Sequence, residues 1–260
     1  MKRVKTGVEG IDRMLSGGIP RGFLVCVSGE PGTGKTVFCL HFAWAGIRSG
    51  EKAIYVTTEE SSSSIIEQAY QFNMDFKLAV DGGMLILIDT FGRGEWTLST
   101  LSVEDLVRKI VEAKKRLGRG EARCIIDSLS AFWLDKPAMA RNYSYYIKKT
   151  LAPWKLTTLA VTQYAVTTSQ AFGFGLEHVS DGIIRFMRAV RRGVLQRYVL
   201  IEKMRNTPHD LRLHRVDIVD GVGMVVTPLK EPLRREDVAL PREVAERIIE
   251  AKARREAEIP

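Results

Sequence analysis

Gly29-Glu30-Pro31-Gly32-Thr33-Gly34-Lys35-Thr36 is the stretch that decides the fold. It fits the pattern G-x-x-x-x-G-K-[ST], and its surroundings fit too: an apolar run, residues 23–28 (FLVCVS), precedes it, and a helical pattern over 36–49 follows. Glycine at 32 and 34 lets the backbone wrap a phosphate without a Cβ in the way, so that several N–H groups and a helix N-terminus converge on the anion. Gly29 to Thr36 is therefore read as a triphosphate cradle. Within it Lys35 reaches the β and γ phosphates, and the Thr36 hydroxyl ligates Mg²⁺.

Outward from this loop, strands and helices alternate. Strands are predicted at 53–58 (AIYVTT), 84–89 (MLILID), 122–127 (ARCIID) and 158–162 (TLAVT), with helices at 61–72, 103–117 and 138–151 between them. Strands separated by helices form βαβ units, which means a parallel sheet covered on both faces. After Asp181 the pattern changes to strands joined by short turns: 182–189 and 194–203 through Arg191-Arg192-Gly193, then 213–219 and 223–226 through Asp220-Gly221. The expected fold is α/β, a mostly parallel central sheet flanked by helices with an antiparallel C-terminal extension. No linker or repeat interrupts it, so residues 1–260 are read as a single domain whose last part, 230–260, is a helical tail with a helix over 241–256.

Composition narrows the class. The chain has 260 residues, 45% hydrophobic and 27% charged, which are globular values. No apolar run approaches the ~20 residues of a membrane span, so no membrane partner and a cytoplasmic location are expected. The three cysteines, Cys26, Cys39 and Cys124, lie in apolar segments without pair spacing and read as buried small residues. Asn and Gln are few against the many ionic residues, a balance that leans towards a thermophilic source. The net charge of +8 is concentrated: residues 181–215 hold nine Lys or Arg against three acids.

A triphosphate hydrolase needs a strand-end carboxylate for hydrated Mg²⁺. Asp89 and Asp127 both end an apolar run, and spacing leaves both open, with Asp127 preferred for its neighbour Ser128. Hydrolysis also needs a group that activates water. Glu59 and Glu60 follow the second predicted strand, and one of them is expected to serve water while the other caps the helix beginning near Ser61. Gln163, at the tip of the fifth strand, can report a γ phosphate through an uncharged hydrogen bond.

Together these residues resemble the RecA superfamily, most closely the KaiC-like ATPases and the archaeal RadA paralogues. The opening Thr6-Gly7-Val8-Glu9-Gly10-Ile11-Asp12-Arg13-Met14-Leu15 and Gly17-Gly18-Ile19-Pro20-Arg21-Gly22 is similar to the first segment of KaiC-like domains, and the likeness covers nearly the whole chain. The resemblance implies a RecA-like P-loop NTPase core that binds ATP and Mg²⁺. It selects Asp127 as the metal carboxylate, places Glu59, with Glu60 beside it, at the catalytic acid, and sets Gln163 at the start of the second DNA-binding loop. Lys203-Met204-Arg205 resembles an element whose Lys and Arg reach the γ phosphate of a neighbouring subunit, which implies a homo-oligomer. The resemblance has departures: the ATPase core begins within the first ten residues, so the helical N-terminal domain of the recombinase is not expected, and the phosphorylated site of the clock protein finds no match.

The resemblance also implies single-stranded DNA as a partner, and a role in homologous recombination or repair beside a RadA-type recombinase. Two loops would face the strand. The first carries Lys136 and Arg141, the second Phe172 and Phe174, with Arg185, Arg191 and Arg192 as phosphate contacts on the basic hairpin. The alternative is a regulatory ATPase that acts through protein partners without DNA.

Overall fold

The computed structural model describes residues 1–133, 137–163, 175–191 and 193–229. The expected tail over 230–260, Lys136, Phe172, Phe174 and Arg192 lie outside the described residues. In chain order the elements are β1 (Arg3–Val4), α1 (Glu9–Met14), β2 (Ile19–Pro20), β3 (Leu24–Gly29), α2 (Lys35–Arg48), β4 (Lys52–Thr57), α3 (Ser62–Gln71) and α4 (Phe76–Asp81). They continue with β5 (Leu85–Ile88), α5 (Val103–Leu117), β6 (Ala122–Asp127), α6 (Ala140–Leu151), β7 (Leu156–Gln163), α7 (Leu176–Val179), β8 (Gly182–Arg191), β9 (Val194–Met204), β10 (His214–Val219) and β11 (Gly223–Pro228).

Nine strands form one sheet in the order β11-β10-β9-β8-β3-β7-β6-β4-β5. The run from β8 to β5 is parallel, and β8 to β11 pair antiparallel. The parallel core with an antiparallel end is the architecture expected. Side chains alternate across the sheet, as strand geometry requires. Val25, Val27, Tyr55, Ile125 and Val161 face α2, while Cys26, Val56, Cys124, Ile126 and Ala160 face α5 and α6. All three cysteines are buried and free.

Helix starts follow local chemistry. The Ser61 side chain accepts from the Ser64 N–H at α3, and Ser102 accepts from Asp105 at α5. The short elements β1, β2, α1, α4 and α7 escaped the sequence reading because two to six residues carry too little periodicity. They tie the chain together: α1 packs on β11 so closely that a Cβ at Gly10 would stand 2.3 Å from the Val226 carbonyl oxygen.

The topology places the site. Because β3, β7, β6 and β4 run parallel, their C-terminal ends open on one edge, with Gly29 paired to Gln163 and Asp127 paired to Thr57. Open parallel sheets bind ligands at such an edge.

Candidate active site

The loop leaves β3 at Gly29 and enters α2 at Lys35. Gly29 has φ 152° beside β8, and a Cβ there would lie 2.3 Å from the Phe186 carbonyl oxygen, so a side chain is excluded. Gly34, the residue before α2, has φ 99°, in the left-handed region that favours glycine. The Lys35 ammonium donates to the Glu30 carbonyl at 2.8 Å, and the Thr33 hydroxyl donates to the same oxygen at 2.8 Å. Burial holds Lys35 below its usual pKa, while Asp127 and Glu59 favour its charge and Arg188 opposes it.

Asp127 lies across from the start of α2. The Thr36 hydroxyl hydrogen-bonds its carboxyl, and the Tyr55 hydroxyl donates to its Oδ2 at 3.1 Å. Burial pushes the Asp127 carboxyl up to about 6; those two hydrogen bonds and Lys35 favour the charged form, and Glu59 disfavours it. Asp89 is employed elsewhere. Its Oδ2 accepts from the Ser62 N–H at 2.8 Å and hydroxyl at 2.6 Å, and its Oδ1 accepts from the Phe91 and Gly92 N–H groups. It caps α3 at the end of the edge strand, two strands from β6.

The two adjacent acids also part company. Glu60 accepts from the Ser64 hydroxyl at 2.5 Å and from the Gln68 amide, which fixes it to the first turns of α3. Glu59 turns the other way and accepts from the Gln163 amide. Glu59, Gln163, Lys35 and Asp127 thus share one mouth. The donor set here is one hydroxyl and one carboxylate, with no cluster of three or more His, Cys, Asp or Glu among the described residues. That suits Mg²⁺, which binds through one or two carboxylates and keeps its waters beside phosphate oxygens.

Two groups escaped the sequence reading. Arg188 Nε donates to Glu30 Oε2 at 2.9 Å, and Arg197 Nε donates to the Gly32 carbonyl at 2.8 Å. Both lie on the β8–β9 hairpin, which the sequence reading assigned to DNA. Arg185, read as a phosphate contact, pairs with Glu202 at 2.7 Å. A signal was available: Arg188 stands two residues beyond the core Phe186 on one strand, hence on the same face. Arg191 ends β8. Arg141 is exposed at the start of α6, where Gly175 abuts its backbone, so the ends of both candidate DNA loops meet.

Lys203 and Arg205 are remote from this mouth. Antiparallel register sets Lys203 opposite Ile183, and the Arg205 N–H donates to Asp181, beside the start of β3. A strand's length, roughly 17 Å at ~3.3 Å per residue, separates them from the loop of their own chain. Lys203 donates to the Glu177 and Ser180 carbonyls at 3.1 and 2.7 Å, and Arg205 reaches Asp181 at 3.5 Å.

Comparison with known proteins agrees with this geometry. A family model described as "ATPase: KaiC" matches residues 4–231. The UPF0273 protein PH0284 of Pyrococcus horikoshii is 38% identical over 236 residues, covering 88% of this chain and 95% of that protein. A UPF0273 protein of Thermotoga maritima is also 38% identical, over 88% of this chain and 97% of its own length. Among solved structures, that of the KaiC-like protein PH0186 from P. horikoshii superposes with a TM-score of 0.75 at 29% identity, over 87% of this chain and 99% of the other. No helix among the described residues is long and apolar enough to cross a membrane. On the loop, the sheet order and these matches, the chain belongs to the KaiC-like ATPase family.

Proposed function

We propose that this chain hydrolyses ATP at the mouth formed by Gly29 to Thr36, Asp127, Glu59 and Gln163. The observation that carries this reading is the Glu59–Gln163 hydrogen bond, which sets an acid and an amide side by side across from Lys35 and Asp127. When bound, ATP supplies the phosphoanhydride, and Mg²⁺ the charge that offsets its oxygens. The chain's own groups do the rest. Lys35 leaves the Glu30 carbonyl for phosphate oxygen. Thr36 and Asp127 hold the metal. Glu59 orients a water and takes its proton, and Gln163 reads the γ phosphate. Lys203 and Arg205, distant from their own loop, act on the loop of a neighbouring copy, so activity requires a homo-oligomer.

We further propose that the chain is a RadA paralogue that binds single-stranded DNA and modulates recombination or repair. The convergence of the two loop ends at Gly175 and Arg141 supports this, since it gives the strand one face to lie on. One observation favours the second reading, a regulatory ATPase without DNA: Arg185, Arg188 and Arg197 of the basic hairpin are engaged within the fold. The experiment is ATP turnover with and without single-stranded DNA, using Lys35→Ala as the blank. Turnover that DNA stimulates and salt suppresses supports the DNA reading. Turnover indifferent to DNA, with no binding at low salt, leaves the regulatory one. Turnover undiminished in Lys35→Ala defeats both.

A further inference from the structure

The edge of the sheet opposite the phosphate loop carries a second concavity. It is an open cavity of 410 Å³, lined by Lys114, Lys115, Gly118, Arg119, Gly120, Pro153, Trp154 and Lys155. That lies within the range of about 300–1,000 Å³ typical of small-ligand sites. Four of its lining residues are cations, and none is an acid.

Cations at the end of α5 would be unremarkable if they neutralised the helix's terminal carbonyls. Most of those carbonyls already have partners: the Gly118 N–H donates to the Lys114 and Lys115 carbonyls. Lys114, only 5% exposed, donates to the Gly118 carbonyl at 2.7 Å, and Lys52 donates to the Leu117 carbonyl at 2.6 Å. Lys115, Arg119 and Lys155 have no ion pair among the described residues; Lys115 lies 5.9 Å from the ring centre of Trp154. The nearby acids are taken: Glu121 pairs with Arg21, and Glu112 with Arg108 and Lys109. Burial lowers the Lys114 pKa, and Lys52 and Lys155 lower it further, so the site repels its own charge. Half-buried Trp154 gives the same cavity an aromatic wall.

A concave group of cations with an indole at its side fits a ligand with anionic oxygens and a flat ring. We propose that this cavity binds a nucleoside phosphate, its base against Trp154 and its phosphate among Lys115, Arg119 and Lys155. The ligand is either a free nucleotide or one nucleotide of a single strand. The inference does not rest on hydrolysis at the phosphate loop, from which the site is separated by the length of the sheet.

The test uses the full chain carrying Lys35→Ala, which weakens the phosphate loop's own hold on nucleotide. AMP, a short oligothymidylate and inorganic phosphate are each titrated by equilibrium dialysis at low and high salt. The titrations are repeated with Lys115→Glu and Arg119→Glu added; both residues are exposed, and melting temperature checks that the fold is kept. Salt-sensitive binding that the charge reversal weakens by roughly ten-fold or more supports the site. Binding of AMP then identifies a free nucleotide, and binding of the oligomer alone identifies a strand. No binding of either at low salt overturns the proposal, as does binding that the reversal leaves unchanged. Inorganic phosphate binding as tightly as AMP also overturns it, because the indole then plays no part.

Discussion

At the exits of β6 and β4, Asp127 and Glu59 stand among Lys35, Thr36 and Gln163. Beside them, where β5 ends and α3 begins, Asp89 and Glu60 are ringed by serine hydroxyls, backbone N–H groups and the Gln68 amide. In the linear chain the two neighbourhoods look alike: an apolar strand closing on Asp, and one acid next to another. What separates them is the unmet hydrogen-bonding capacity of each carboxylate. Asp89 accepts four hydrogen bonds from its own surroundings and has nothing left to offer a ligand. Asp127 is half-met and destabilised as an anion by burial, so that a cation would relieve it.

The largest test of this division is the pair Asp127→Asn and Asp89→Asn. The first should lower ATP turnover by roughly 10³-fold, a few kcal/mol of lost metal-assisted charge stabilisation, with the melting temperature nearly unchanged. The second should leave turnover within a few-fold while costing about 1–2 kcal/mol of stability in denaturant titration, the loss of a capping acceptor. The reverse result would exchange their roles. Next comes the glutamate pair. Glu59→Gln should lower turnover by roughly 10²–10⁴-fold, the worth of a general base, and leave nucleotide affinity intact. Glu60→Gln should cost about 1 kcal/mol of stability and little activity. Equal loss of turnover in both would dissolve the distinction.

A third test asks whether the loaded mouth is complete within one chain. Arg205→Ala should lower turnover by roughly ten-fold or more at constant nucleotide affinity, because an arginine supplied from a neighbour acts on transition-state charge. Mixing this variant with Lys35→Ala should restore part of the activity, since some interfaces then pair an intact loop with an intact arginine. The smallest effect is in acid. Burial alone would raise the Asp89 pKa, but the hydrogen bonds from Ser62, Gly92 and Phe91 outweigh it and hold the carboxyl below its ordinary value of 3.8. A carboxyl depressed on folding stabilises the protein above its unfolded pKa, and that contribution disappears as pH falls below about 4. Unfolding titrations in that range should show the loss in the parent and a shallower slope in Asp89→Asn.

Much of this was legible beforehand, for a physical reason in each case. The loop is written in fixed spacing because left-handed backbone at Gly34 and close packing at Gly29 tolerate no other residue. The strands from β3 to β11 were legible because buried parallel strands are apolar runs and hairpins alternate. Asp127 and Asp89 could not be separated by their own segments, because the order β3-β7-β6-β4-β5 decides which exit faces the loop. Arg188 and Arg197 were seen as charge but not as neighbours of Glu30 and Gly32. The pairing of β8 with β3 that puts them there brings together Arg188 and Glu30, 158 residues apart in the chain.

That pairing makes the hairpin a mechanical backrest. Arg188 and Arg197 grip the loop from one side, and the Met224 and Ile218 side chains lie 3.2 and 3.3 Å from where a Cβ on Gly34 would be. The stiffness of the cradle is therefore borrowed from strands that never touch its phosphate-facing amides. Amide exchange at Gly32 to Gly34 should then keep time with the breathing of β8 and β9, which makes the hairpin's own lifetime the clock for how long an empty cradle holds its shape.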